Sequence, residues 1–468
     1  MGPNTRSVGL VALVLLAPLV GVAAAAGGHA GTAPPAAPTQ SGPNPCVGTT
    51  ADPPETPTVV SIQGAHAGEK TDAMVVSVRP SGAVLGVHNV GDHRWWAYDV
   101  DRLSNDNFLL ATTRNRHTNI VELDAETGDH VTDRDFEGVH DTHDVDLVNG
   151  DELLMNDMGD ERNRVLVYNL TREEVVWEYR FDEHTDRFPT SGGGPYGEDW
   201  THNNDVEQIR EGVIMVSVRN YDQVVAINRS TKETEWTLGE DDNAAVLDEQ
   251  HNPDFITTED GRATVLVADS LNDRVVEYTR EGDEWNRTWV LRGGGLAEPR
   301  DADRLPDGNT LVVDRRGHRT VEVTPEGEVV WEVYTPWQPY DAERLGTPDE
   351  SSGPAMTDTD AAGVREMTGH ATFTDRGIQR CYEFLSNVTE NRLVPEGGIS
   401  TAATDADATI GSDTDRASPT VAASPAGTDS VLGEDDEGGG LPVAPVAGAA
   451  VVVIALGGAA VWYRSTGA

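Results

Sequence analysis

Lysine is almost missing from this chain. Of 468 residues only Lys70 and Lys232 are lysine, and 34 bases stand against 80 acids for a formal charge of −46. A surface of that sign repels nucleic-acid phosphates and anionic lipid headgroups, so neither is expected as a partner. Few lysines beside abundant Asp, Glu, Thr and Gly read as adaptation to high salt, where carboxylates hold water and ions screen their repulsion. A disordered acidic chain could share this composition, but the regular strand pattern from about residue 57 to 345 argues against it. Cysteine is scarce too. Cys46 and Cys381 flank the patterned region and either pair in an oxidising exterior or stay free thiols. Compact catalytic signatures are also missing. There is no His-Glu-x-x-His zinc spacing, no Asp-x-Asp-x-Asp-Gly calcium loop and no Gly-x-Ser-x-Gly elbow. The glycine triplets at 192–194 and 293–295 lack the Gly-Lys-Ser/Thr ending that cradles phosphate.

What the chain does have is a repeat. Six times an Asp-hydrophobic-acid triplet precedes a run of aliphatic residues, beginning at Tyr98, His143, Asn204, Asn252 (a degenerate copy), Arg300 and Tyr340. A period of roughly 40 to 60 residues without helical signal points to one four-stranded unit stacked on itself, the blade of a β-propeller. The sixth copy has only its first strand, while three strands near 58–62, 74–78 and 83–88 have no triplet of their own. Combining them completes a blade and removes the open edges. The expected fold is therefore all-β, a six-bladed propeller over 57–345 closed by N-terminal strands. The triplet acids recur in copies with and without histidine, which assigns them to holding blades together.

The flanks follow from composition. Residues 1–26 carry one early base, Arg6, and an apolar run, the pattern of a signal peptide or N-terminal anchor; 27–56 read as a linker. Residues 346–395 are irregular, with a short helix expected near 377–393, and 396–440 form a Thr/Ala/Asp-rich disordered stalk. Residues 441–463 are apolar and uncharged, long enough for a single transmembrane helix. Acids precede this span and Arg464 follows it, which puts 464–468 in the cytoplasm and the propeller on the extracellular side of the cell membrane. Sequons at Asn169, Asn228, Asn286 and Asn387 are consistent with a glycoprotein.

Each blade's first strand starts at the face that also holds its second-to-third loop. The strand starts carry His140 and His143, His202, His251, Arg300 and Tyr340; the loops carry Arg114, Arg219, Arg274, and Arg315 with His318. One face of an acidic protein thus gathers imidazoles and guanidiniums, an anion site suited to sulfate or phosphate oxygens. Blander readings compete: His143 as a blade staple, and His318 among arginines as a solvated turn.

With these residues in place, the chain resembles the arylsulfotransferase family. The matching words are Trp200-Thr201-His202-Asn203-Asn204-Asp205, Ser217-Val218-Arg219-Asn220, Glu249-Gln250-His251-Asn252 and Asp273-Arg274-Val275-Val276-Glu277. The resemblance implies an exported six-bladed propeller that moves a sulfuryl group from an aryl sulfate to a phenolic acceptor through a sulfated histidine, with no cofactor and no metal. It carries the roles of family histidines to His202 and His251 and of the family arginine to Arg274; His143 and Arg300 complete the candidate catalytic set. The nucleophile stays unassigned, because later strand starts hold Arg300 and Tyr340 and leave only His318. Two other functions compete: a non-catalytic surface propeller that binds a ligand or partner, and a quinoprotein-like propeller, prompted by Glu174-Val175-Val176-Trp177-Glu178 and Glu328-Val329-Val330-Trp331-Glu332.

Overall fold

The computed structural model describes residues 44–396, apart from 67, 92, 115–116 and 160–162. The expected signal or anchor at 1–26, the stalk beyond Glu396 and the apolar span 441–463 lie outside the described residues. No helix among the described residues is long and apolar enough to cross a membrane.

Six antiparallel sheets of four or five strands form the blades. Their innermost strands are Trp96–Arg102, Val145–Val148, Asn203–Arg210, His251–Thr257, Pro299–Arg304 and Gln338–Arg344, for blades 1 to 6. Each packs on the next, and the last packs on the first, so the ring closes. Blade 6 is the split one. Its inner strand Gln338–Arg344 pairs with Thr58–Gln63, followed outward by Met74–Val78 and Val84–Asn89. Near-continuous runs of Val, Ile, Leu and Met in the middle strands, such as Val213–Val218, give the sheets two apolar faces to bury against their neighbours.

The triplet acids do hold the blades together. In turn around the ring, one carboxylate oxygen accepts a backbone N–H from the next blade: Asp341 from Val100 (2.9 Å), Asp99 from Val145 (3.0 Å), Asp144 from Val206 (2.5 Å) and Glu207 from Phe255 (3.0 Å). Tryptophans repeat the device at the rim. Trp177 Nε1 donates to Arg229 O at 2.7 Å, Trp289 to Pro325 O at 3.0 Å and Trp331 to Pro80 O at 3.0 Å. The Val-Val-Trp words thus serve inter-blade packing, which removes the observation that prompted a quinoprotein.

Two of the described strands lie outside 57–345. Val47–Thr50 adds a fifth strand to blade 5, and Gly363–Glu366 runs parallel to the outer strand of blade 4. The first falls within the stretch expected to be linker. Cys46, disulfide-bonded to Cys381, and the Glu332 carboxylate, which accepts from Thr49 N, fix it there. The helix spans Asp375–Leu385, two residues earlier at its start than expected, because Thr374 caps it by accepting from Gly377 N. Residues 346–353 cross the far end of the axis. Arg102 N donates to Asp349, Ser351 N to Asp254, and Ser352 N and Gly353 N to Arg304 O.

Candidate functional site

In five blades the ladder register shifts immediately before the first acid of the triplet: Ala97/Asp99, Asn203/Asp205, His251/Asp254, Pro299/Asp301, and opposite Val60/Ile62 in blade 6. Such bulges re-aim the side chain next to them. The mouth of the ring therefore collects one residue per blade: Tyr98, His143, His202, His251, Arg300 and Tyr340. All six are buried. Tyr98 stacks on His143 with centroids 3.7 Å apart, His143 meets His202 edge-on at 5.1 Å, and Tyr340 meets His251 at 6.0 Å. The Tyr340 hydroxyl lies 3.1 Å from His143 Nδ1.

The loops that set these side chains reuse one local solution. Asp222 and Asp273 each end a short 3-10 turn in the left-handed region. Their carboxylates accept the N–H of Glu249 and of Glu298, each at 2.9 Å. Those two residues also have positive φ and stand two positions before His251 and Arg300. Such short polar side chains tolerate the left-handed conformation and bond nearby backbone, which fixes the approach of the next strand.

Two imidazoles are then locked in different surroundings. His202 donates from Nδ1 to Asp199 at 2.7 Å and accepts at Nε2 from Arg219 Nη1 at 2.9 Å. Burial pushes the Asp199 carboxyl up, but His202, Arg219 and Asn220 together outweigh it and hold it well below the usual carboxylate range. His251 instead sets Nδ1 3.0 Å from Glu249 O and 2.8 Å from Ser270 Oγ, with Arg300 Nη1 also 2.9 Å from that nitrogen; the serine in turn donates to Pro299 O. Its Nε2 accepts from Arg300 Nη1, and Arg300 is held by Glu298 at 2.9 Å. Glu298 also pairs with Arg315, which donates to Gln338 Oε1 at 3.1 Å.

Of the five residues expected at the site, His143, His202, His251 and Arg300 meet at the mouth, and Arg274 does not. Its Nε binds Asp269 Oδ2 at 2.5 Å and its Nη2 binds Val246 O at 2.9 Å. Asp269 is its cross-strand partner, and the same pairing joins Asp157 to Arg164 and Asp314 to Arg319. The recurrence that made Arg274 look functional is thus a ladder ion pair. We predict that Arg274→Ala, by stranding fully buried Asp269, costs about 3 kcal/mol in urea unfolding. His318 sits against Trp337 O at 2.5 Å, and burial lowers its pKa.

Sequence reasoning missed Tyr98, Asp199 and Glu298. Tyr98 had a signal, since it precedes its triplet acid as His143, Arg300 and Tyr340 do. Asp199 and Glu298 lie in loops before the triplets, where Glu298 has a counterpart in Glu249. Among the described residues, no group of His, Cys, Asp or Glu is arranged to hold a metal directly.

A family model described as arylsulfotransferase (ASST) matches residues 96–260, less than half of the chain, which takes in His143, His202 and His251 but not Arg300. No curated protein matches the chain. Among solved structures, a protein of unknown function from Bacteroides caccae is 11% identical, with 69% of this chain and 100% of that one covered at a TM-score of 0.43. The periplasmic gluconolactonase of Pseudomonas aeruginosa is 15% identical, with 65% and 89% covered at 0.41. Virginiamycin B lyase from Staphylococcus aureus is 7% identical, with 63% and 85% covered at 0.38.

Proposed function

We propose that the mouth transfers sulfuryl groups from aryl sulfates to phenols, with His251 as nucleophile and His202 as the acid–base residue. The observation that carries this division of labour is the unlike fixing of the two rings. Nε2 of His251 attacks sulfur; an N–S bond forms as the aryl S–O bond breaks. The positive charge gained by the ring is accommodated at Nδ1–H by the Glu249 carbonyl and the Ser270 hydroxyl. Arg300 leaves Nε2 for the sulfonate oxygens, where planar bidentate contact neutralises charge. Once Arg219 has left Nε2 and that nitrogen has taken up a proton, His202 is an imidazolium with Asp199 as counter-charge at Nδ1–H; its Nε2–H goes to the departing phenoxide and leaves the ring neutral. It then takes one from the acceptor phenol, whose oxygen attacks sulfur, breaks the N–S bond and restores His251.

Aromatic rings at the same end support an aryl substrate. Trp96, on the strand of Tyr98, and Trp337, just before the strand of Tyr340, are partly exposed, and Lys70 lies 4.4 Å from the Trp95 ring. The acidic composition and the apolar span 441–463 support placing the propeller outside the cell, on a single C-terminal anchor in a salty medium.

Mixing the protein with an aryl sulfate and no acceptor, then digesting and sequencing by mass spectrometry, tests the assignment. A sulfonate on the peptide that holds His251 is expected. An adduct on His143, His202 or His318 instead would move the nucleophile. No phenol release with any aryl sulfate from folded protein would favour a ligand-binding propeller.

A further inference from the structure

Below the mouth, the axis of the ring encloses a space lined by eleven carboxylic acids and Asn252, with no basic residue among the lining. Elsewhere several buried acids have guanidinium partners: Asp269 with Arg274, Glu277 with Arg304, Asp314 with Arg319, and Glu322 with Arg344. The stapling bonds between blades use one oxygen of several axial carboxylates. Asp205 and Asp301, only 9% and 3% exposed, each keep a buried Oδ2 with no hydrogen-bond partner. Asn252 Oδ1, on the same lining, is likewise buried and unpartnered. A carboxyl can be quieted by a proton, but an amide oxygen cannot; it needs a donor or a cation. Burying such acceptors unpaired is costly.

We propose that this axial space is a binding site for a hard divalent cation of the calcium or magnesium kind, held by Asp205, Asp301 and Asn252. All-oxygen surroundings suit such ions. No group of acids here is arranged to hold an ion alone, so the cation keeps part of its water shell. The space takes about two or three water-sized particles, enough for one ion and its remaining water. The cation replaces the missing guanidinium and ties blades 3, 4 and 5 at the axis, independently of what the mouth catalyses.

The full-length chain, stripped with chelator in molar KCl to screen surface acids, is titrated with calcium or magnesium chloride while its unfolding midpoint is followed. A rise of roughly 5 °C at a hundredfold excess over Kd is expected, with about one ion per chain retained after gel filtration. Asn252→Ala, which leaves the charge unchanged, should weaken binding severalfold, and Asp205→Asn with Asp301→Asn should abolish the retained ion. Should the double variant not fold, ion content of Asn252→Ala decides. The proposal is overturned if neither ion moves the midpoint, which assigns the space to protons, or if variants retain as much ion as the parent, which assigns binding to the acidic surface.

Discussion

On the proposed mechanism, His251→Ala should stop phenol release from every aryl sulfate, by at least about a thousandfold, because no other group replaces the attacking nitrogen. His202→Ala behaves differently. With a poor leaving group such as unsubstituted phenol it slows turnover by about 10²–10⁴-fold, the range for lost general acid–base help. With a nitrophenyl sulfate, whose phenoxide departs unaided, the first half-reaction is nearly spared and single-turnover sulfonation of His251 persists. The measurement is the dependence of rate on leaving-group acidity in parent and variant. A parallel drop across all leaving groups would remove His202 from proton transfer and leave it a positioning residue for Arg219.

Freed of divalent cations in molar KCl, the folded ring should lose stability as pH climbs from about 5 to 8, the reverse of ordinary acid denaturation. Burial pushes the Asp146 and Asp341 carboxyls up to about 7, with Asp349 adding repulsion to both. Burial and like charges also push Asp99, Asp144, Asp205, Asp301, Asp303 and Glu343 well above the usual range. Nearby cations do not offset this: Arg304 and Arg344 already face Glu277 and Glu322, and Arg102 pairs with Asp106. A carboxyl that holds its proton longer when folded contributes stability in full below the unfolded value near 4. That contribution drains away as pH rises through the folded values. Urea midpoints measured across this window should fall steadily, and adding calcium or magnesium should flatten the slope. A flat curve without cations would sink the prediction.

Much of this architecture was legible because the repeat has two jobs written in adjacent residues. An acid of four triplets staples the next blade, and the residue just before the first acid, Tyr98, His143, Arg300 or Tyr340, lies at the mouth. Even the split blade followed from three strands without a triplet and one triplet without its strands. The period of the chain does not reach loop chemistry. Asp199, which holds His202, and Glu298, which holds Arg300, do not recur in every blade, Glu298 matching only Glu249, and the strands Val47–Thr50 and Gly363–Glu366 are too short to leave a pattern. Arg274 misled because recurrence marks structure as readily as chemistry. Its ladder partner Asp269 recurs with it, as Asp314 does with Arg319.

The shared sheet of blade 6 has a consequence for how the protein is made. Residues 58–89 leave the ribosome first, yet their inner partner Gln338–Arg344 emerges some 250 residues later. Throughout that interval the nascent chain carries an unclosed wheel. Tyr340 is the last member of the mouth to arrive, so an interrupted product has no working centre. An assembled mouth is therefore a report on completed synthesis.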